Sequence, residues 1–169
     1  MKNQSRQTGL TLIELVVVLS LVTVLGIFVF PRLDNLTDIR AGYAAQKIRS
    51  DIRYAQMFAL DTGQRTAVIF DSPNHKYELQ REVSPGAWAV MMNPLTKGGY
   101  SVFLNQGDFD GVKISDVALA GTSGLIFDRR GEVWNLNDAD IGEFAFIRLN
   151  PPYGLKIRRG TGKVELVSS

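Results

Sequence analysis

The chain has 169 residues, one histidine and no cysteine, and its 19 Lys and Arg exceed its 17 Asp and Glu by two. Both surplus charges, Lys2 and Arg6, precede the first apolar run, so the remainder is formally neutral, which weakens the case for a broadly basic nucleic-acid surface. Any core is held without disulfides, and this length, with no compositional break, leaves room for one globular domain of ordinary size.

The first predicted element is residues 10–30, LTLIELVVVLSLVTVLGIFVF, in which Glu14 is the only charge. As a helix it is roughly 30 Å long, the hydrocarbon thickness of a bilayer. A cleaved secretory signal fits less well: its apolar core would be about 7 to 15 residues followed by a small-x-small site, whereas this run is longer and ends in Phe28, Val29, Phe30, Pro31 and Arg32. The basic residues before the span favour a cytoplasmic N-terminus, with the bulk of the chain facing outward.

Glu14 is the anomaly, because a carboxylate at membrane depth costs on the order of 2 to 3 kcal/mol even on permissive scales. No Lys, Arg or His lies between Arg6 and Arg32. A partner cation must therefore come from a new N-terminus or from another molecule.

Gly9, Thr11, Leu12, Ile13 and Glu14, behind a short basic leader and ahead of an uninterrupted apolar run, resemble the processing motif of the type IV pilin and pseudopilin superfamily. Leu10 stands where Phe is usual, and Pro31 lies where many of these proteins have a proline. The resemblance implies that residues 1–9 are a leader, that a prepilin peptidase on the cytoplasmic face cuts between Gly9 and Leu10, and that the new amine of Leu10 is methylated. The departure at Leu10 bears on the extent of methylation rather than on cleavage. The implied ammonium lies about one turn from Glu14, so Glu14 is expected to be an assembly contact; the competing reading is an acid that snorkels to the interface.

Beyond the span, Ala44, Ile48, Ile52, Ala55 and Ala59 recur at helical spacing, with Gln46, Arg49, Ser50 and Arg53 opposite and Gly63 placed to end the helix. The period predicts one helix from about Leu10 to about Asp61, kinked near Pro31 and softened at Gly42. Strand patterns follow: QRTAVIF, HKYELQRE, AWAVMM, YSVFL, LIFDRRGEVWNL, FAFIRLN, GLKIRR and GKVELVSS, seven to nine short strands in all. Asp71-Ser72-Pro73-Asn74 and Asp128-Arg129-Arg130-Gly131 read as hairpin turns, and Pro151-Pro152 interrupts a pairing. A helix followed by antiparallel strands is an α+β arrangement.

IRSDIRYAQMFALDTGQRTAVIF and SGLIFDRRGEV resemble the helix-to-strand junction and a later hairpin of the H-type minor pseudopilins, the GspH/FimT group. That resemblance implies a β-sandwich-like domain on a long helix, in a subunit at or near the tip of a pseudopilus. The implied organisation is a leader over 1–9, a transmembrane and assembly helix over 10–31, and a periplasmic domain over 32–169. The implied partners are other pseudopilins, including those of the tip, the prepilin peptidase and the inner membrane.

Few residues suggest chemistry. His75 has no Cys to join it and reads as a surface residue, and Gly160-Thr161-Gly162 fits a hairpin turn better than a phosphate cradle. Neither a catalytic site nor a cofactor is expected. The acidic loops with Asn105, Asp108 and Asp110, and with Asn137, Asp138, Asp140 and Glu143, lack EF-hand spacing and read as turn chemistry, so no metal is expected. Lys156, Arg158, Arg159 and Lys163, with Arg148, are the candidate nucleic-acid contacts; alternation puts Lys156 and Arg158 on one face with Arg159 opposite, and Glu165 lowers the local charge. The expectation is thus a minor pseudopilin of type II secretion. The alternatives are a minor type IV pilin in pilus assembly or DNA uptake, and a membrane-anchored DNA-binding module.

Overall fold

The apolar run and the helical period beyond it each give a helix, α1 (Leu12–Val29) and α2 (Asp34–Thr62). The computed structural model describes residues 11–29, 34–150 and 153–168. The expected kink at Pro31 and the break at Pro151-Pro152 lie outside the described residues. The chain divides into two compact units, Met1–Leu36 and Thr37–Ser169.

In the first unit, α1 has no polar face, and its side chains from Leu12 to Leu25 are exposed. Its hydroxyls are satisfied internally, Ser20 Oγ donating to the Val16 carbonyl at 2.7 Å and Thr23 Oγ1 to that of Leu19 at 2.8 Å. Among the described residues no helix is long and apolar enough to cross a membrane; the ends of the expected span, Leu10 and Phe30-Pro31, lie outside them.

In the second unit, Ala44, Ile48, Ile52, Ala55 and Ala59 form the buried stripe of α2, together with Ala41 and Ala45. Burying each isoleucine contributes on the order of 1.5 to 3 kcal/mol, and the alanines let the strands approach closely. Gln46, Ser50 and Arg53 are exposed and Arg49 is half-buried, as the period requires. Gly42 lies inside the helix, where a Cβ would come within 3.3 Å of the Tyr153 ring. Gly63 adopts φ +67° and donates its N–H to the Ala59 carbonyl at 3.0 Å, an αL cap that stops α2.

Among the described residues ten strands follow, all paired antiparallel. β1 (Thr66–Asp71), β2 (Lys76–Ser84), β3 (Ala87–Val90), β4 (Ser101–Phe103), β6 (Gly124–Phe127) and β7 (Val133–Asn135) make one sheet in the order β3-β2-β1-β6-β7. β4 shares the outer edge of β2 with β3: Lys76–Glu78 pair with β4, and Gln80–Ser84 with β3. The second sheet runs β10-β9-β8-β5, from β5 (Ile114–Ala118), β8 (Phe144–Leu149), β9 (Tyr153–Arg158) and β10 (Val164–Ser168). Val68, Phe70, Leu79 and Phe127 of the first sheet and Ala145, Ile147, Leu155 and Ile157 of the second meet the α2 stripe in one core. The fold is α+β, a helix on two antiparallel sheets.

The hairpin turns form where the sequence places them. Asp71 accepts from the Asn74 backbone and side chain at 3.2 and 2.8 Å, and Asp128 Oδ1 accepts from the N–H groups of Arg130 and Glu132 at 2.8 and 2.9 Å. The difference is β5, which lies outside every run that alternation picks out. A register shift between Ile114 and Asp116 marks a bulge, and the extra residue breaks the period of two.

Candidate functional site

The first candidate is the start of α1. Thr11 precedes the helix, and its Oγ1 accepts the Glu14 N–H at 3.3 Å, while Leu15 N–H donates to the Thr11 carbonyl at 3.1 Å. Thr-x-x-Glu is thus a helix N-terminal signature. Four of the five residues that carry the processing resemblance, Thr11 to Glu14, also fix where the helix begins, a second role that the resemblance does not require. Glu14 lies in the first turn, where the helix dipole favours a negative charge. The result is one carboxylate at the head of an otherwise apolar, exposed helix. Gly9 and Leu10 lie outside the described residues.

The C-terminal cations come together less than their sequence proximity suggests. Lys156 Nζ sits 3.5 Å from the Phe144 ring centroid, and the Arg158 guanidinium is 5.7 Å from the same ring. Arg159 instead pairs with Asp140 at 2.5 Å, Lys163 with Glu165 at 2.8 Å, and Arg148 with Asp116 at 2.6 Å. The Lys163 ammonium, through its hydrogen bond and charge, holds the Glu165 carboxyl below the usual range. Three of the five cations are therefore already matched by acids, which weakens a convergent phosphate-binding surface.

The acidic loops are held by turn bonds and arginines. Asn135 Oδ1 accepts from the N–H groups of Asn137 and Ala139 at 2.9 Å, Asp140 Oδ1 accepts from Gly142 N–H, and Asp138 pairs with Arg65. In the other loop, Arg40 donates to the Asp110 carbonyl at 3.1 Å. Among the described residues no group of three or more His, Cys, Asp or Glu is arranged to hold a metal. His75 differs from the expectation of a surface residue: it is half-buried with φ +49°, and its Nδ1 is buried without a hydrogen-bond partner.

A buried polar cluster escaped sequence reasoning. Asp51, on the apolar face of α2 and only 2% exposed, accepts from Tyr77 Oη at 2.6 Å, Tyr100 Oη at 2.9 Å and Lys47 Nζ at 2.6 and 2.7 Å. Burial, followed by the adjacent Asp51 charge, pushes both phenols up. The cluster clamps α2 to β2 and to the start of β4, and its lysine is the only member reaching solvent. It is a fastening within the fold. An acid between Ile48 and Ile52 was a readable signal, although its partners were not.

The profile of the family described as type II transport protein GspH matches residues 44–161, and that of the prokaryotic N-terminal methylation motif matches residues 4–30. Two solved structures of EpsH, a minor pseudopilin of the type II secretion system of Vibrio cholerae, share the fold. One has a TM-score of 0.56 at 16% identity, covering 76% of this chain and 97% of its own. The other has a TM-score of 0.57 at 15% identity, covering 76% and 94%. No curated protein matches the chain.

Proposed function

Because the chain belongs to the family of type II transport protein GspH, we propose that it is a minor pseudopilin, a structural subunit at or near the tip of a type II secretion pseudopilus. The observation that carries this reading is the presence of an N-terminal methylation motif and a GspH domain on one chain. In this reading prepilin peptidase removes residues 1–9 and methylates Leu10, residues 10–31 anchor the chain in the inner membrane, and residues 32–169 face the periplasm. Extraction from the bilayer then packs the apolar helix against other pseudopilins, which cover the side chains that α1 leaves exposed.

Glu14 acts in that step as a counter-charge. Cleavage leaves an ammonium at Leu10 about one helical turn away, and the carboxylate neutralises it or that of a neighbouring subunit. No catalytic step belongs to this role, in keeping with a family of structural subunits. The test is Gly9→Val, which puts a bulky residue before the cut: precursor should accumulate with its leader attached, as read by intact mass. A wild-type mature chain that does not begin at Leu10 removes the basis of the proposal.

A further inference from the structure

Alongside the exposed face of α2 runs a groove of about 630 Å³, lined on one side by Arg49, Arg53 and Gln56 and on the other by the β9–β10 turn and Lys163–Leu166. Gln56 fixes its floor, donating to the Gly131 and Thr161 carbonyls at 2.8 Å each. Arg49 and Arg53 differ from the C-terminal cations: among the described residues neither forms an ion pair or a side-chain hydrogen bond. Two guanidiniums one turn apart thus face the groove without an ion-pair partner among the described residues, although Glu165 also lines it.

The opposite wall is a sheet edge. Among the described residues β10 pairs only with β9, and Arg158 N–H donates to the Lys163 carbonyl at 2.9 Å. Antiparallel alternation from that pair turns the N–H and C=O groups of Val164 and Leu166 outward, away from β9. An edge of this kind accepts another extended segment.

We propose that this groove docks an extended acidic segment of a neighbouring subunit, which adds to β10 as a strand while its carboxylates reach Arg49 and Arg53. The spacings agree. Arginines four residues apart on a helix are separated by about 6 Å along its axis, and same-face residues of a strand by about 6.7 Å, so the segment carries acids at alternate positions. Glu165 lines the same groove and opposes a continuous phosphate backbone, whereas a peptide can set a neutral residue against it. The neighbouring subunit as source rests on the reading of the chain as an assembly subunit. The binding chemistry does not, and the purified chain tests it apart from filament assembly.

The experiment uses the full chain in detergent micelles and a fluorescein-labelled peptide of alternating glutamate and valine. A glutamine–valine peptide and a labelled single-stranded DNA oligonucleotide serve as comparisons, all read by anisotropy. The acidic peptide should bind saturably, and the neutral peptide should bind about tenfold more weakly or worse. Arg49→Gln with Arg53→Gln, which removes charge without touching a hydrogen bond of the fold, should weaken the acidic peptide by a similar factor. Amide hydrogen exchange at Val164 and Leu166 should slow in the bound state. Acidic-peptide binding unchanged in the double variant, or bound peptide that leaves those two amides unprotected, overturns the proposal. Oligonucleotide binding that is tighter than peptide binding and lost in the same variant overturns it in favour of a nucleic-acid surface.

Discussion

Removing the Asp51 carboxylate strips three donors of one acceptor, and their burial sets the cost. In Asp51→Ala the hydroxyls of Tyr77, a fully buried residue, and of Tyr100, a residue 6% exposed, lose their acceptor, and only the Tyr100 oxygen keeps a contact, from Lys47 Nζ at 3.4 Å. Each unpaired buried hydroxyl costs about 1 to 3 kcal/mol. The Lys47 side chain is 38% exposed, so its ammonium turns to water and adds little. The sum, with some loss of packing, is about 3 to 5 kcal/mol. Asp51→Asn keeps the shape and one acceptor and should cost about half as much. Urea unfolding of the compact unit Thr37–Ser169 measures these differences. The decisive comparison is Asp51→Leu combined with Tyr77→Phe and Tyr100→Phe. With donors and acceptor removed together nothing is left unpaired, and most of the stability should return. Asp51→Ala unfolding within about 0.5 kcal/mol of wild type would refute the reasoning, as would a triple variant no better than the single one.

Because Tyr77 titrates higher in the folded unit than in the unfolded chain, the folded unit keeps a proton that the unfolded chain loses above about pH 10. Stability present below that pH should fall as pH rises through it, and Tyr77→Phe should flatten the decline; equal alkaline slopes in the two proteins would count against the shift. Gly162→Ala places a Cβ at φ +61° against the Gln56 amide, and loss of that amide's bonds should cost about 1 to 3 kcal/mol in the same urea assay. Glu14→Leu should leave membrane level and cleavage normal while reducing the chain's recovery in crosslinked pseudopilus fractions, with Glu14→Gln intermediate at best. Wild-type assembly of Glu14→Leu would leave the snorkelling account standing.

What was legible in the sequence was whatever a local period or turn chemistry encodes. The α2 stripe could be read because five buried residues repeat on one face, and the hairpins because Asp71 and Asp128 close their own turns. β5 was hidden because its bulge destroys alternation, and the pairing of Arg159 with Asp140 because it spans a hairpin that only the topology brings together. The two acids on apolar helix faces show where the line falls. Asp51 was visible as an acid between Ile48 and Ile52, yet its tyrosines lie 26 and 49 residues away, so the sequence posed the need for a partner without supplying it. Glu14 poses the same need. It sits at the head of a helix whose sequence offers no cation between Arg6 and Arg32, so no later strand is required to explain it. A carboxylate satisfied by its own fold acts on stability; in the proposed function Glu14, whose counter-charge comes from a new amine or another chain, acts on assembly instead. The two substitutions should therefore separate, Asp51→Ala lowering the urea midpoint and Glu14→Leu changing what the chain joins.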